Sequence, residues 1–98
     1  MRKKTNKLSP DKQLGKLRSN IDKIDFQILK LLGKRRNEVL KVIKCKPKSK
    51  IVDQKRIASM LKERVARGKK LKIESFIITK MWLTMIGSFI ELEKKKYK

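Results

Sequence analysis

Apolar residues recur at Leu17, Ile21, Ile24, Ile28 and Leu31, in steps of four and three. That spacing lines one side of an α-helix. Continued in the same steps it reaches Arg35, Val39, Val42 and Lys46. The stripe predicts one long amphipathic helix, starting between Lys12 and Leu17 and running to about Cys45. Pro47 ends it, because the residue before a proline is biased away from helical backbone. Two cations, Arg35 and Lys46, fall in register with the apolar stripe, and Arg18 flanks its first residue. Gly33 lies inside the helix and costs up to about 1 kcal/mol relative to Ala. Close approach of another helix or a ligand would account for it.

Two shorter helices follow. Pro47 to Val52 reads as a basic loop, and Asp53 is a good N-cap. The second helix is expected from Gln54 to about Arg67, with Ile57, Met60, Leu61 and Val65 on its inner face and Gly68 as its stop. Lys69 to Ile73 connects. The third helix is expected from Glu74 to Lys95, with a seam of Ile78, Trp82, Met85 or Ile86, Phe89 and then Glu93. An acid thus closes the apolar stripe of the third helix, as cations interrupt that of the first. No segment alternates as a strand does, and no internal repeat is present. The fold class is all-α, with three helices of very unequal length. Residues 1–16 form a basic arm, expected to be mostly disordered with a loose helical start near Asp11. The helical domain spans residues 17–95, and residues 96–98 form a basic tail.

Length changes this picture. Ninety-eight residues make one small domain. A first helix of roughly 30 residues would be about 45 Å long, longer than a globule of this size. A second copy of the chain is expected to cover its seam, giving an intertwined homodimer. Charge adds a second constraint. The chain carries 30 Lys and Arg against 9 acids, for a formal net charge of +21. Ten of those cations lie in the two tails: Arg2, Lys3, Lys4, Lys7, Lys12, Lys16, Lys94, Lys95, Lys96 and Lys98. Such tails are either simply solvated or contacts for a polyanion such as nucleic acid. A compositional bias toward lysine accounts for the excess equally simply.

Composition also excludes chemistry. There is one cysteine, Cys45, and no histidine. An intramolecular disulfide, a Cys/His zinc site and a His-activated nucleophile are all ruled out. The basic start has no apolar run before Ser9 and Pro10, and no segment has 18 consecutive apolar residues. No signal peptide, no membrane partner and a cytoplasmic location are expected.

Cations on an apolar seam need an anion. The acids of the first helix, Asp22, Asp25 and Glu38, all lie off the seam. The simplest inference is that a ligand supplies the anion. Arg guanidinium groups clamp carboxylates in a two-pronged geometry, so Arg18, Arg35, Lys46, Arg56 and Glu93 suggest a pocket for a small dicarboxylate. Each has a plainer reading as well. Arg18 and Arg35 could snorkel from the rim of a coiled coil, Asp53 could be only a cap, Arg56 a solvated residue, and Glu93 a partner of Lys94. Trp82, Met85 and Phe89 suit core packing.

The stretch from Leu17 to Arg35, LRxxIDxIDxxILxLLxxR, resembles the opening helix of the all-helical chorismate mutase family. A lysine eleven residues after Arg35, an Asp-x-x-Arg at the second helix and a late Glu on the third keep step with it. The resemblance covers Leu17 to about Glu93. It implies that Arg18 reaches across the dimer to one substrate carboxylate, and that Arg35 holds the other within its own protomer. It places Lys46 at the ether oxygen of the enolpyruvyl group. Asp53 and Arg56 then face the ring hydroxyl and the carboxylate side, and Glu93 faces the ether oxygen. To donate a hydrogen bond there, Glu93 must carry a proton. The implied reaction is chorismate to prephenate, toward phenylalanine and tyrosine, with no cofactor and no metal.

Two positions depart from the pattern. Ile57 stands where a typical mutase has a Glu that binds the ring hydroxyl, and Phe89 where many have a Ser. The related isochorismate-pyruvate lyases, which form salicylate, carry an aliphatic and an aromatic residue there. The mutase is the favoured reading, for Asp53 is retained. The alternatives are the lyase, and a non-catalytic nucleic-acid-binding or regulatory homologue.

Overall fold

The computed structural model describes residues 9–97, and the expected disorder of residues 1–8 lies outside them. The elements are α1 (Pro10–Ile43), a short 3-10 turn (Lys48–Lys50), α2 (Gln54–Lys70) and α3 (Ser75–Lys96). No strand occurs among the described residues, so the all-α expectation with three unequal helices holds.

The first helix starts earlier than its apolar stripe. Pro10–Lys16, read as part of the basic arm with a loose helical start near Asp11, are helical. The signal is local. Ser9 caps the helix through its hydroxyl, which accepts from the Lys12 N–H at 3.3 Å. Pro10 sits at the first helical position, where no N–H is needed, and Asp11 favours the positive end of the helix.

The chain divides into two units, one ending at Arg35 and one beginning at Arg36. In the first unit α1 is largely uncovered: Leu17, Ile21 and Ile24 are 58%, 54% and 58% exposed. Half-burial begins at Leu32 and Arg35. A Cβ at Gly33 would meet nothing within 4 Å, so no close approach within the chain explains that glycine.

In the second unit, α2 and α3 pack together. Their inner faces follow the expected period. Met60, Ile78 and Ile86 are buried together with Ile51, and Ile57, Leu61, Val65, Trp82, Met85 and Phe89 are half-buried. Each such apolar side chain, fully buried, contributes on the order of 1.5–3 kcal/mol. The last turns of α1 join this unit through Val39, Leu40 and Ile43, all half-buried. The seam thus runs through Leu32 and Ile43, not Leu31 and Val42, which are exposed. At the lower end, the Tyr97 hydroxyl hydrogen-bonds the Ile43 carbonyl at 2.8 Å.

Gly68 does not stop α2. It is a buried helical residue, and a Cβ there would lie 1.8 Å from Ile78 Cδ1 and 3.1 Å from Cγ1. The glycine lets the two helices approach. The stop comes at Lys72, with φ 61°, where Ile73 N–H returns to the Gly68 carbonyl at 2.9 Å and Lys72 N–H to the Lys69 carbonyl at 3.0 Å. These two bonds form a Schellman cap. A side chain in left-handed backbone is strained by about 1–2 kcal/mol. Lys72→Gly is therefore expected to stabilise the fold by about 1 kcal/mol in denaturant titration, after the flexibility that glycine adds to the unfolded chain. No gain would mean that the left-handed turn is strain-free.

One expectation about membranes meets a different fact. α3 is long and apolar enough, by length and composition, to cross a bilayer. The same test is passed by core helices of water-soluble proteins. Here α3 packs on α2, and Ile78, Ile86 and Glu93 along it are buried.

Candidate active site

The site residues that the structure brings together lie where α1 ends, where α2 begins and along the last turns of α3. Pro47 cannot extend α1. Beyond Ile43 the backbone tightens, with Lys44 N–H bonding the Lys41 carbonyl at 3.1 Å and Cys45 N–H bonding that of Val42 at 2.9 Å. Lys46 leaves this turn pointing inward and is half-buried. Its ammonium lies 3.1 Å from Glu93 Oε1 and donates a long hydrogen bond, at 3.5 Å, to the Ile51 carbonyl. Cys45 beside it is exposed, with a free thiol.

Glu93 is 7% exposed, the one buried charged residue among those described. Lys46 neutralises it at ion-pair distance, and Oε1 is sealed from solvent. A buried carboxylate depends on such a partner. Sequence alone allowed Glu93 to pair with Lys94 instead, and the structure selects Lys46.

The first turn of α2 supplies the third part. Asp53 caps it, accepting from Arg56 N–H at 3.0 Å through its side chain. Lys55 and Arg56 follow, and no acid stands in that turn. Acids are favoured at a helix N-terminus and cations are not, so two cations there work against the helix and toward an anion. Arg56 is exposed and Ile57 half-buried, as is Phe89 on α3.

Two predicted residues belong to the other unit. Arg18 is exposed on α1 and Arg35 is half-buried. Lys46 and Glu93 are brought into contact, and Asp53, Arg56 and Ile57 share one helical turn. No three metal-ligating side chains cluster among the described residues.

Sequence reading missed Tyr97, which it left in a basic tail. Its hydroxyl is shared between the carbonyls of Ile43 and Lys46, and its N–H bonds the Glu93 carbonyl at 3.0 Å. A partial signal existed: the donor that would serve the Ile43 carbonyl in a continuing helix is residue 47, a proline without an N–H. The sequence announces the orphaned carbonyl but not which hydroxyl fills it.

Comparison with known proteins follows the same line. A bifunctional chorismate mutase/prephenate dehydratase of Buchnera aphidicola subsp. Acyrthosiphon pisum (strain APS) is 34% identical over 83 residues. The match covers 83% of this chain and 22% of that protein, so the chain spans about a fifth of its relative's length. No solved structure matches the chain. The family model for chorismate mutase type II matches residues 17–94, from the first apolar residue of the seam to just past Glu93. The chain belongs to the type II chorismate mutase family.

Proposed function

We propose that this chain is a chorismate mutase that rearranges chorismate to prephenate, in the branch toward phenylalanine and tyrosine. The observation that carries this reading is the Lys46–Glu93 pair, a half-buried ammonium 3.1 Å from a buried carboxylate. The rearrangement is pericyclic and uses no nucleophile and no cofactor. It requires the substrate to be held in a compact conformer and positive charge where the breaking C–O bond leaves charge on oxygen. Lys46 supplies that charge, and Glu93, when protonated, donates to the same oxygen. The family resemblance assigns Arg35 to one substrate carboxylate, and Asp53, Arg56, Ile57 and Phe89 to the rest of substrate binding.

The working unit is an intertwined homodimer, with Arg18 contributed across the interface. Its support is the uncovered apolar face of α1 at Leu17, Ile21 and Ile24, which leaves water only if a second chain covers it. The protein acts in the cytoplasm.

The mutase is separated from the lyase by offering chorismate and isochorismate in turn. Prephenate from chorismate, with negligible salicylate from isochorismate, is the expected result. Salicylate as the main product would overturn the mutase reading and make Ile57 and Phe89 the determinants of a lyase. Activity on neither, with salt-sensitive nucleic-acid binding, would move the +21 charge from background to function.

The role given to Glu93 has its own test. Glu donates a hydrogen bond only while protonated, whereas Gln donates at every pH. Glu93→Gln, which keeps a donor at that position, is expected to retain the parent rate, while Glu93→Ala, which has none, loses about tenfold or more. A Glu93→Ala protein as fast as the parent would show that Glu93 does not donate in the reaction.

A further inference from the structure

Glu93, in the last turn of α3, and Tyr97, the residue that caps the helix, lie four residues apart and engage the same residue in different ways. Glu93 meets the side chain of Lys46 at 3.1 Å. Tyr97 meets its backbone, through a hydroxyl shared between the carbonyls of Lys46 and Ile43. The Tyr97 N–H still bonds the Glu93 carbonyl, so the last turn of α3 and its cap hold both ends of the lysine. The grip answers a local defect. Pro47 has no N–H for the Ile43 carbonyl, and the last bonds of α1 are to carbonyls earlier in the chain. Without another donor, the turn from which Lys46 departs has nothing to hold its carbonyl side.

We propose that Tyr97 is a positioning residue, whose hydroxyl fixes the Lys44–Lys46 turn and so sets where the Lys46 ammonium stands. Its effect on rate rests on the mutase reading above. Lys46 is a long, flexible side chain, and small misplacement of a charge aimed at a reacting oxygen is expensive in rate.

The test is Tyr97→Phe in the full chain, which keeps the ring and deletes the hydroxyl. Misplacement of Lys46 acts in the transition state more than in binding, so kcat for chorismate is expected to fall about tenfold with KM within about twofold. Backbone exchange is read on the same proteins without substrate. The amides of Lys44, Cys45 and Lys46 should exchange about tenfold faster, while those of α2 keep the parent rates. Unchanged exchange at those three amides would overturn the latch. Faster exchange with an unchanged kcat, or a rise in KM alone, would overturn its role in positioning. Faster exchange across all helices would assign Tyr97 to the general fold and overturn it as well. A parent without chorismate turnover would sink the mutase reading instead, and the exchange result would still decide whether the hydroxyl holds the turn.

Discussion

Lys46→Ala is expected to lower kcat for chorismate by about two to three orders of magnitude, the range seen when a single preorganised donor to a developing oxyanion is removed. KM should move far less, because in the proposed role Lys46 would meet charge that is present only as the C–O bond breaks. The effect has a second source. Glu93 is 7% exposed, and Lys46 is the one cation at ion-pair distance from it among the described residues. Removing the lysine leaves a buried carboxylate unpaired, which is strongly destabilising. Lys46→Ala should therefore melt lower than the parent, and Lys46→Ala combined with Glu93→Gln should recover stability without recovering rate. If the double variant regained the lost activity, Lys46 would be serving Glu93 and not the substrate.

Arg18→Ala and Arg35→Ala should each reduce kcat/KM by about a hundredfold or more, as expected when one partner of a buried charge pair is cut away. Mixed, unfolded together and refolded, the two inactive variants are expected to recover about a quarter of the parent activity, because random pairing in a symmetric dimer leaves one site in four intact. The arithmetic depends on Arg18 serving the opposite protomer. No recovery from correctly refolded dimers would place both arginines in one chain's site, and a mixture that stayed monomeric would remove the dimer.

Parts of this picture could be read from residues alone because they are set locally. Asp53 caps α2, and Pro47 stops α1 within a few residues of the expected place. The inner faces of α2 and α3 follow the 3.6-residue period because the two helices pack against each other. The early start of α1 was legible too, in Ser9, Pro10 and Asp11, but the lysines around them resembled a solvated tail. Other parts depend on contacts distant in sequence. The Ile43 carbonyl finds its donor in Tyr97, 54 residues away. Gly68 looked like a helix stop because glycine often is one; it serves the approach of Ile78, and a lysine takes the strained position. The pairing of Lys46 with Glu93 was implied by a family resemblance, and periodicity alone placed each only on its own stripe.

The most direct measurement is the formation of prephenate by the purified full chain, followed as loss of chorismate, with Lys46→Ala beside it. The account predicts saturable conversion by the parent and a variant slower by about a hundredfold or more, with prephenate the sole product. A folded parent that converts chorismate no faster than buffer, or a Lys46→Ala protein that matches it, would contradict the account.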